Sequence, residues 1–314
     1  MPRSDAAAGE CAVELRSAVK AYGEHRALDG LDLALGAGRW TGLVGPNGAG
    51  KTTCMLAIAG LIPLDDGSVE VLGSPVRGPR ADVLGWVPQD LALYPQLTAV
   101  ENLATFGTLS GVRGSELRRR IAWALDWTGL ESRAAHLVGT YSGGMQRRLN
   151  IACAVLHRPR VLLLDEPTVG VDPHARERIF AMLEQLRRDG VALLHSSHEL
   201  GDAENVCDHL VIMDAGRAVA TGPIAELVRQ TVGDRAVLRL QLGGLPTSGR
   251  GALPAGLEAR ADGAFSAALG DVATELPALL HELTAAGAEV LSLDLRRPGL
   301  QDVLLELTGR ELRE

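Results

Sequence analysis

The sequence predicts an α/β fold: a parallel sheet covered by helices, preceded by an antiparallel β region, interrupted by a helical subdomain and followed by a small α+β domain. Three observations carry that prediction. A glycine-rich run, "GPNGAGKTT" (45–53), stands between an apolar strand pattern and a helical one. Two short apolar runs, "RVLLLD" and "VALLHS", flank the helical pattern "PHARERIFAMLEQLRRDG"; strand–helix–strand alternation implies parallel strands joined by helical crossovers. From about 96 to 157, apolar residues recur at three- and four-residue spacing, the period of amphipathic helices.

Taken in order, residues 12–44 read as short strands separated by turns, closing on "WTGLVG". A helical pattern starts at Lys51. The helical subdomain is written in "TAVENLATFGTLSG", "SELRRRIAWALDWTGL" and "SGGMQRRLNIACAVLH". Composition shifts near 231–257, where "GGLPTSGRGALPAG" reads as a flexible stretch inside a second unit. The domain boundary falls near Gly233, giving domains 1–232 and 233–314. The second domain reads as a strand, a turn-rich segment, the helix "LPALLHELTAAG", the strand "EVLSLDL" and the helix "LQDVLLELTG".

A chain of 314 residues suffices for one large or two modest domains, each with its own core. Aromatic residues make up 3%, so aliphatic side chains must fill those cores. The net charge of −8 and the lack of a dominant basic patch argue against nucleic acid as a partner. Cys11, Cys54, Cys153 and Cys207 are scattered without C-x-x-C spacing, the usage of reduced thiols in a cytosolic protein. The first residues, "MPRSDAAAGE", lack the apolar stretch of a signal peptide. No uncharged apolar run is long enough to cross a bilayer, so action at a membrane is expected to go through a partner.

The chemistry is concentrated in three places. "GPNGAGKT" fits G-x-x-x-x-G-K-[ST] between a strand and a helix, the context that motif requires. Gly45, Pro46, Asn47, Gly48, Ala49 and Gly50 wrap the backbone around phosphates. Lys51 reaches the β- and γ-phosphates, and Thr52, followed by Thr53, offers a hydroxyl to Mg²⁺. "VLLLDE" ends an apolar strand in Asp165, placing a carboxylate at the carboxyl edge of the sheet, where it can hold Mg²⁺. Glu166 follows and can polarise an attacking water. In "YSGGM", Ser142, Gly143 and Gly144 open a helix whose free N–H groups and dipole make a second anion cradle.

The order phosphate loop, "YSGGM", "VLLLDE" resembles the nucleotide-binding subunit of an ABC transporter, a P-loop NTPase of the ABC type, over about residues 12–225. The resemblance implies that Ser142, Gly143 and Gly144 face the γ-phosphate of ATP held by an opposite subunit, two chains pairing head to tail over two ATP. It implies that Tyr22 stacks on adenine and that Gln89 senses Mg²⁺ and water beside the membrane-domain contact. It also implies that Asp172 crosses the dimer interface and that His198 contacts the γ-phosphate. Asp172 reads equally as the N-cap of a helix beginning at Pro173. His195 competes for the role of His198 but is read as packing at the strand end.

The usual signature is Leu-Ser-Gly-Gly-Gln; here Tyr141 and Met145 replace its first and last residues, and Gln146 is shifted by one, so the role of the final glutamine is not transferred to it. "YSGGM" with its paired arginines, and the tail "PGLQDVLLELTGREL", resemble the drug-exporter, daunorubicin-resistance-like branch. The resemblance thus implies an ATP-hydrolysing subunit using ATP and Mg²⁺. Its partners would be a second ABC ATPase subunit, identical or not, and a separately encoded multi-span permease that holds it on the inner face of the cell membrane. The alternative is a soluble ABC ATPase not coupled to transport. Within that alternative, a single motif set with no basic linker argues against translation factors, and the lack of a coiled-coil insertion between the two phosphate motifs argues against DNA-repair relatives.

Overall fold

Strands β1 (Cys11–Tyr22) and β2 (His25–Gly36) form one long antiparallel hairpin, where the sequence suggests several short strands. The reason is local. Pairing slips between Leu15 and Ala18, where Ser17 adopts φ 47° and donates its N–H to Asp32 Oδ1 at 2.8 Å. The interruption that reads as a turn is a β-bulge, which bends a strand without ending it. The computed structural model describes residues 11–197, 200–233, 235–243, 254, 256–260, 263–297 and 299–308.

Strand β3 (Trp40–Val44), buried along its whole length, leads through the glycine-rich loop into α1 (Lys51–Ile58). Strands β4 (Asp66–Val71) and β5 (Ser74–Pro75) complete the antiparallel sheet in the order β2-β1-β4-β5. After β6 (Leu84–Val87) come α2 (Ala99–Leu109), α3 (Gly114–Thr128) and α4 (Gly143–Val155). A capping box between Thr98 and Glu101 starts α2, satisfying two otherwise orphaned N–H groups. These helices enclose their own core around Leu103, Leu125, Leu149 and Leu156.

Strand β7 (Val161–Asp165), α5 (Pro173–Arg188), β8 (Ala192–Ser197), α6 (Leu200–Val206), β9 (His209–Asp214) and β10 (Arg217–Gly222) complete the central sheet. Its order is β10-β9-β3-β8-β7-β6, parallel except for the edge strand β10. Leu15, Leu31 and Leu35 of the hairpin, Met55 and Ile58 of α1, and Leu163 and Leu194 of the central sheet share one core. Strand β8 lies between β3 and β7, so its carboxyl end stands between the phosphate loop and the acidic strand end. Crevices outside the carboxyl ends of parallel strands are where such sheets bind ligands.

A second compact unit begins at Ile224. It contains α7 (Ile224–Thr231), β11 (Ala236–Gly243), β12 (Glu258–Ala259), β13 (Phe265–Leu269), α8 (Val272–Ala285), β14 (Glu289–Arg296) and α9 (Leu300–Thr308). Its antiparallel sheet, β12-β13-β11-β14, has a core of Leu238, Leu240, Phe265, Leu279 and Leu283, and α7 packs on α9. Most of the stretch expected to be flexible, residues 244–253, lies outside the described residues, as do 1–10 and 309–314. All four cysteines are free thiols; Cys54, Cys153 and Cys207 are buried and Cys11 is exposed. No helix among the described residues is long and apolar enough to cross a membrane.

Candidate functional site

The loop between β3 and α1 turns tightly enough to require glycine. At Gly50 φ is 100°, and a Cβ would lie 2.2 Å from the Ala27 carbonyl oxygen, so any side chain there collides with β2. Lys51 opens the helix and is buried; its Nζ donates to the carbonyls of Gly45 at 2.7 Å and Pro46 at 3.1 Å. Burial lowers the Lys51 pKa, while the carboxylates of Glu166 and Asp165 oppose that shift. Thr52 Oγ1 donates to Asp165 Oδ2 at 2.9 Å, so the loop hydroxyl and the acid at the end of β7 meet.

Asp165 is buried, and its other oxygen, Oδ1, accepts from Ser196 Oγ at 2.5 Å. The same hydroxyl oxygen accepts the N–H of Glu166 at 2.9 Å. Glu166 has φ 46°, the left-handed region where a non-glycine residue is strained and in which functional residues cluster. The Thr52 hydroxyl and the Asp165 carboxylate are hard oxygen donors, the type that suits Mg²⁺. Among the described residues no group of three or more His, Cys, Asp or Glu gathers around a point. The donor set fits a cation that shares its coordination with phosphates and water, as Mg²⁺ does in nucleotide sites.

Lys51, Thr52 and Glu166 open on a cleft of about 570 Å³, lined also by Tyr22, His25, Asn47 to Gly50, Thr53 and Gln89, while Gly45, Pro46 and Asp165 lie behind its lining. Tyr22 is 51% exposed at the end of β1, with Lys20 Nζ 5.8 Å from its ring centre. Gln89 follows β6. Its carbonyl accepts from Arg147 Nη1 at 2.9 Å, and the Pro88 carbonyl accepts from the same nitrogen at 3.3 Å. Arg147 is buried on α4; desolvation lowers its pKa, and the carboxylates of Asp90 and Glu166 oppose the shift.

The second cradle stands apart. Ser142 is the N-cap of α4, its Oγ accepting from the Met145 N–H at 3.4 Å. Ser142 and Gly143 are exposed, and neither they nor Gly144 line the cleft. Gly144 is buried where α4 meets α5; a Cβ there would lie 2.6 Å from Ala175 Cβ. Asp172, also outside the cleft, caps α5 by accepting the Ala175 N–H at 3.0 Å, with Pro173 at the first helical position.

The departures from the usual signature have visible consequences. Tyr141 packs in the helical core and donates its hydroxyl to the Arg133 carbonyl at 2.6 Å. Gln146 Nε2 donates to the Val138 carbonyl at 3.0 Å, so its amide is engaged away from the cradle. His195 is fully buried near Trp40 and Phe180, and burial pushes its pKa down to about 4. His198 lies outside the described residues. Sequence reasoning missed Ser196, Arg147 and His25. A serine near a strand end, an arginine inside a helix and a histidine at the start of a strand carry no local signal of what lies opposite them.

A family model described as "ABC transporter" matches residues 28–169. The chain is 37% identical over 308 residues to the linearmycin resistance ATP-binding protein of Bacillus subtilis, covering 94% of this chain and 97% of that one. It is 38% identical over 312 residues to the Nod factor export ATP-binding protein I of Sinorhizobium fredii, covering 97% and 88%. Against the daunorubicin resistance ATP-binding protein of Streptomyces coeruleorubidus the identity is 36% over 309 residues, covering 97% and 98%. Among solved structures, it resembles a dimeric ATP-binding cassette in a post-hydrolysis state bound to ADP and phosphate. There the TM-score is 0.62 and the identity 28%, covering 67% of this chain and 98% of that one.

Proposed function

Because this chain belongs to the ABC transporter family, as one of its exporter-type ATP-binding ATPases, we propose that it works as one half of a nucleotide sandwich. Two chains, or this chain and a close relative, close head to tail over two MgATP and drive a separate multi-span permease. The observation that carries the reading is the separation of two anion cradles. The loop of residues 45–53 has its own cleft, while Ser142 and Gly143, exposed at the start of α4, take no part in lining it. A helix N-terminus with a hydroxyl cap favours an anion, and a partner's γ-phosphate is the anion this geometry suits.

Within each half, Lys51 and the loop amides bind phosphates, and the ring of Tyr22 offers a face to the base. Thr52 and Asp165 would hold Mg²⁺, which neutralises phosphate charge when bound. Glu166 polarises the attacking water, Gln89 reaches the same cleft, and His198 completes the set by family resemblance. Asp172 caps the helix that packs against Gly144, next to the surface that would meet the partner. Leu91 and Tyr94, just beyond Gln89, are exposed large apolar residues and supply a surface for the permease, which would hold the protein at the inner face of the membrane. Co-purification with a multi-span protein from detergent extracts tests that coupling.

The dimer is tested by Glu166→Gln, which keeps the shape of the side chain and removes its basicity. The variant should bind ATP without cleaving it, and charge-assisted contacts from both cradles should hold the pair closed. Light scattering should give a dimer in ATP and a monomer in ADP. Adding Ser142→Arg should dissolve that dimer and leave ATP binding to each chain intact. A Glu166→Gln chain that binds ATP yet stays monomeric, alone and when mixed with its closest companion subunit, would defeat the proposal.

A further inference from the structure

We propose that Ser196 is the positioning residue for Glu166 and Asp165, holding the Glu166 main chain in its left-handed turn and orienting the Asp165 carboxylate toward Thr52. The inference rests on the reading of Glu166 as the group that polarises water. Strands β7 and β8 pair in parallel with Asp165 opposite Ser196, which brings the hydroxyl to the acid from a neighbouring strand. Ser196 is fully buried. Its Oγ donates to Asp165 Oδ1 at 2.5 Å and accepts the Glu166 N–H at 2.9 Å. One group must donate and accept at once, which a hydroxyl does and an alanine or valine side chain cannot.

The consequence for Asp165 is that its two oxygens are no longer equivalent. Oδ1 is engaged by Ser196, while Oδ2 meets the Thr52 hydroxyl at 2.9 Å on the cleft side. For Glu166 the consequence concerns the backbone. A residue at φ 46° stays there only when its surroundings over-determine it. The Ser196 oxygen holds its N–H, and the Val169 N–H donates to its carbonyl at 3.3 Å. The turn beyond is anchored by Thr168 Oγ1 donating to Asp202 Oδ2 at 3.1 Å, and Arg176 Nη1 lies 3.2 Å from Asp202 Oδ1. Without the hydroxyl, the Glu166 N–H and Asp165 Oδ1 each lose a partner in a buried place. The direction of the Glu166 side chain is then less defined, while the phosphate loop that binds ATP is untouched.

The test uses the full chain with Ser196→Ala and Ser196→Thr. Outer-sphere partners of reacting or metal-binding groups are typically worth about 10–100-fold in activity. Ser196→Ala should therefore lower kcat by about that factor while the Kd for ATP, measured directly by calorimetry, changes less than about threefold. Ser196→Thr, which restores the hydroxyl, should recover most of kcat. A role confined to packing predicts the opposite order, because Thr adds a methyl group at a fully buried position and Ala removes a single oxygen. The proposal is overturned by a Ser196→Ala kcat within about twofold of the parent, by a Thr variant slower than the Ala variant, or by loss of ATP affinity in step with kcat. Turnover insensitive to Glu166→Gln would remove the reading of Glu166 and this proposal with it. Turnover abolished by Glu166→Gln but untouched by Ser196→Ala would remove only the role of Ser196.

Discussion

His195 is one residue from the hydroxyl that binds Asp165, yet it points into the core, with neither ring nitrogen bonded among the described residues. Burial depresses its pKa from 6.5 to about 4, so the unfolded chain takes up a proton first as pH falls. Its contribution is therefore fully present above pH 6.5 and lost progressively toward pH 4, by about 3 kcal/mol in all. Urea titrations from pH 7 to pH 4 should show a smaller loss of stability in His195→Leu than in the parent, although His157 and His209, whose pKa values burial also lowers, contribute equally to both. Parallel curves would rule the imidazole out as the cause. Tyr22 makes the opposite case, an aromatic side chain left half exposed beside the phosphate loop. Tyr22→Ala should weaken ATP binding by about 1–2 kcal/mol if the ring stacks on adenine. Equal weakening toward inorganic triphosphate would mean that the residue acts through folding.

Two helices meet at the second cradle, and each is started by a side chain that also faces the proposed dimer surface. Ser142 caps α4 and Asp172 caps α5, with Gly144 allowing the two to approach. Asp172→Ala should cost about 1 kcal/mol of stability through the lost cap. Asp172→Ser retains a capping hydroxyl and should restore that stability. If Asp172 also crosses to a partner, Asp172→Ser in the Glu166→Gln background should still form less ATP-driven dimer than Glu166→Gln alone, as read by light scattering. Recovery of both properties would confine Asp172 to its cap. At this scale the sequence is legible because a cap is local: hydroxyl or carboxylate, helix start and bonded N–H lie within one turn. The hairpin of β1 and β2 was not legible in the same way. A bulge and a turn share the same polar residues, and only pairing with a distant strand tells them apart.

For the whole molecule, the division into two compact units at Ile224 carries a direct expectation. Every residue placed in the phosphate cleft or the second cradle precedes that point, so a chain ending at Pro223 should fold cooperatively and bind ATP, checked by thermal unfolding and calorimetry. An insoluble or nucleotide-blind fragment would show that the second unit is needed for the first to fold. The sequence by itself determined the glycine loop, the acidic end of a buried strand, the capped helix that follows Tyr141, and the motif order that places the chain in its family. Each is short, and its glycines, caps and apolar periodicity act between near neighbours along the chain. Only the tertiary structure decided that Ser196 lies against Asp165 and that Arg147 grips the main chain at Gln89, contacts spanning 31 and 58 residues. It likewise decided that His195 is core and that Gln146 turns back to Val138. Those outcomes follow from strand order and register in a parallel sheet and from the seat of α4 against the loop after β6, which the packing of distant segments sets and no local pattern encodes.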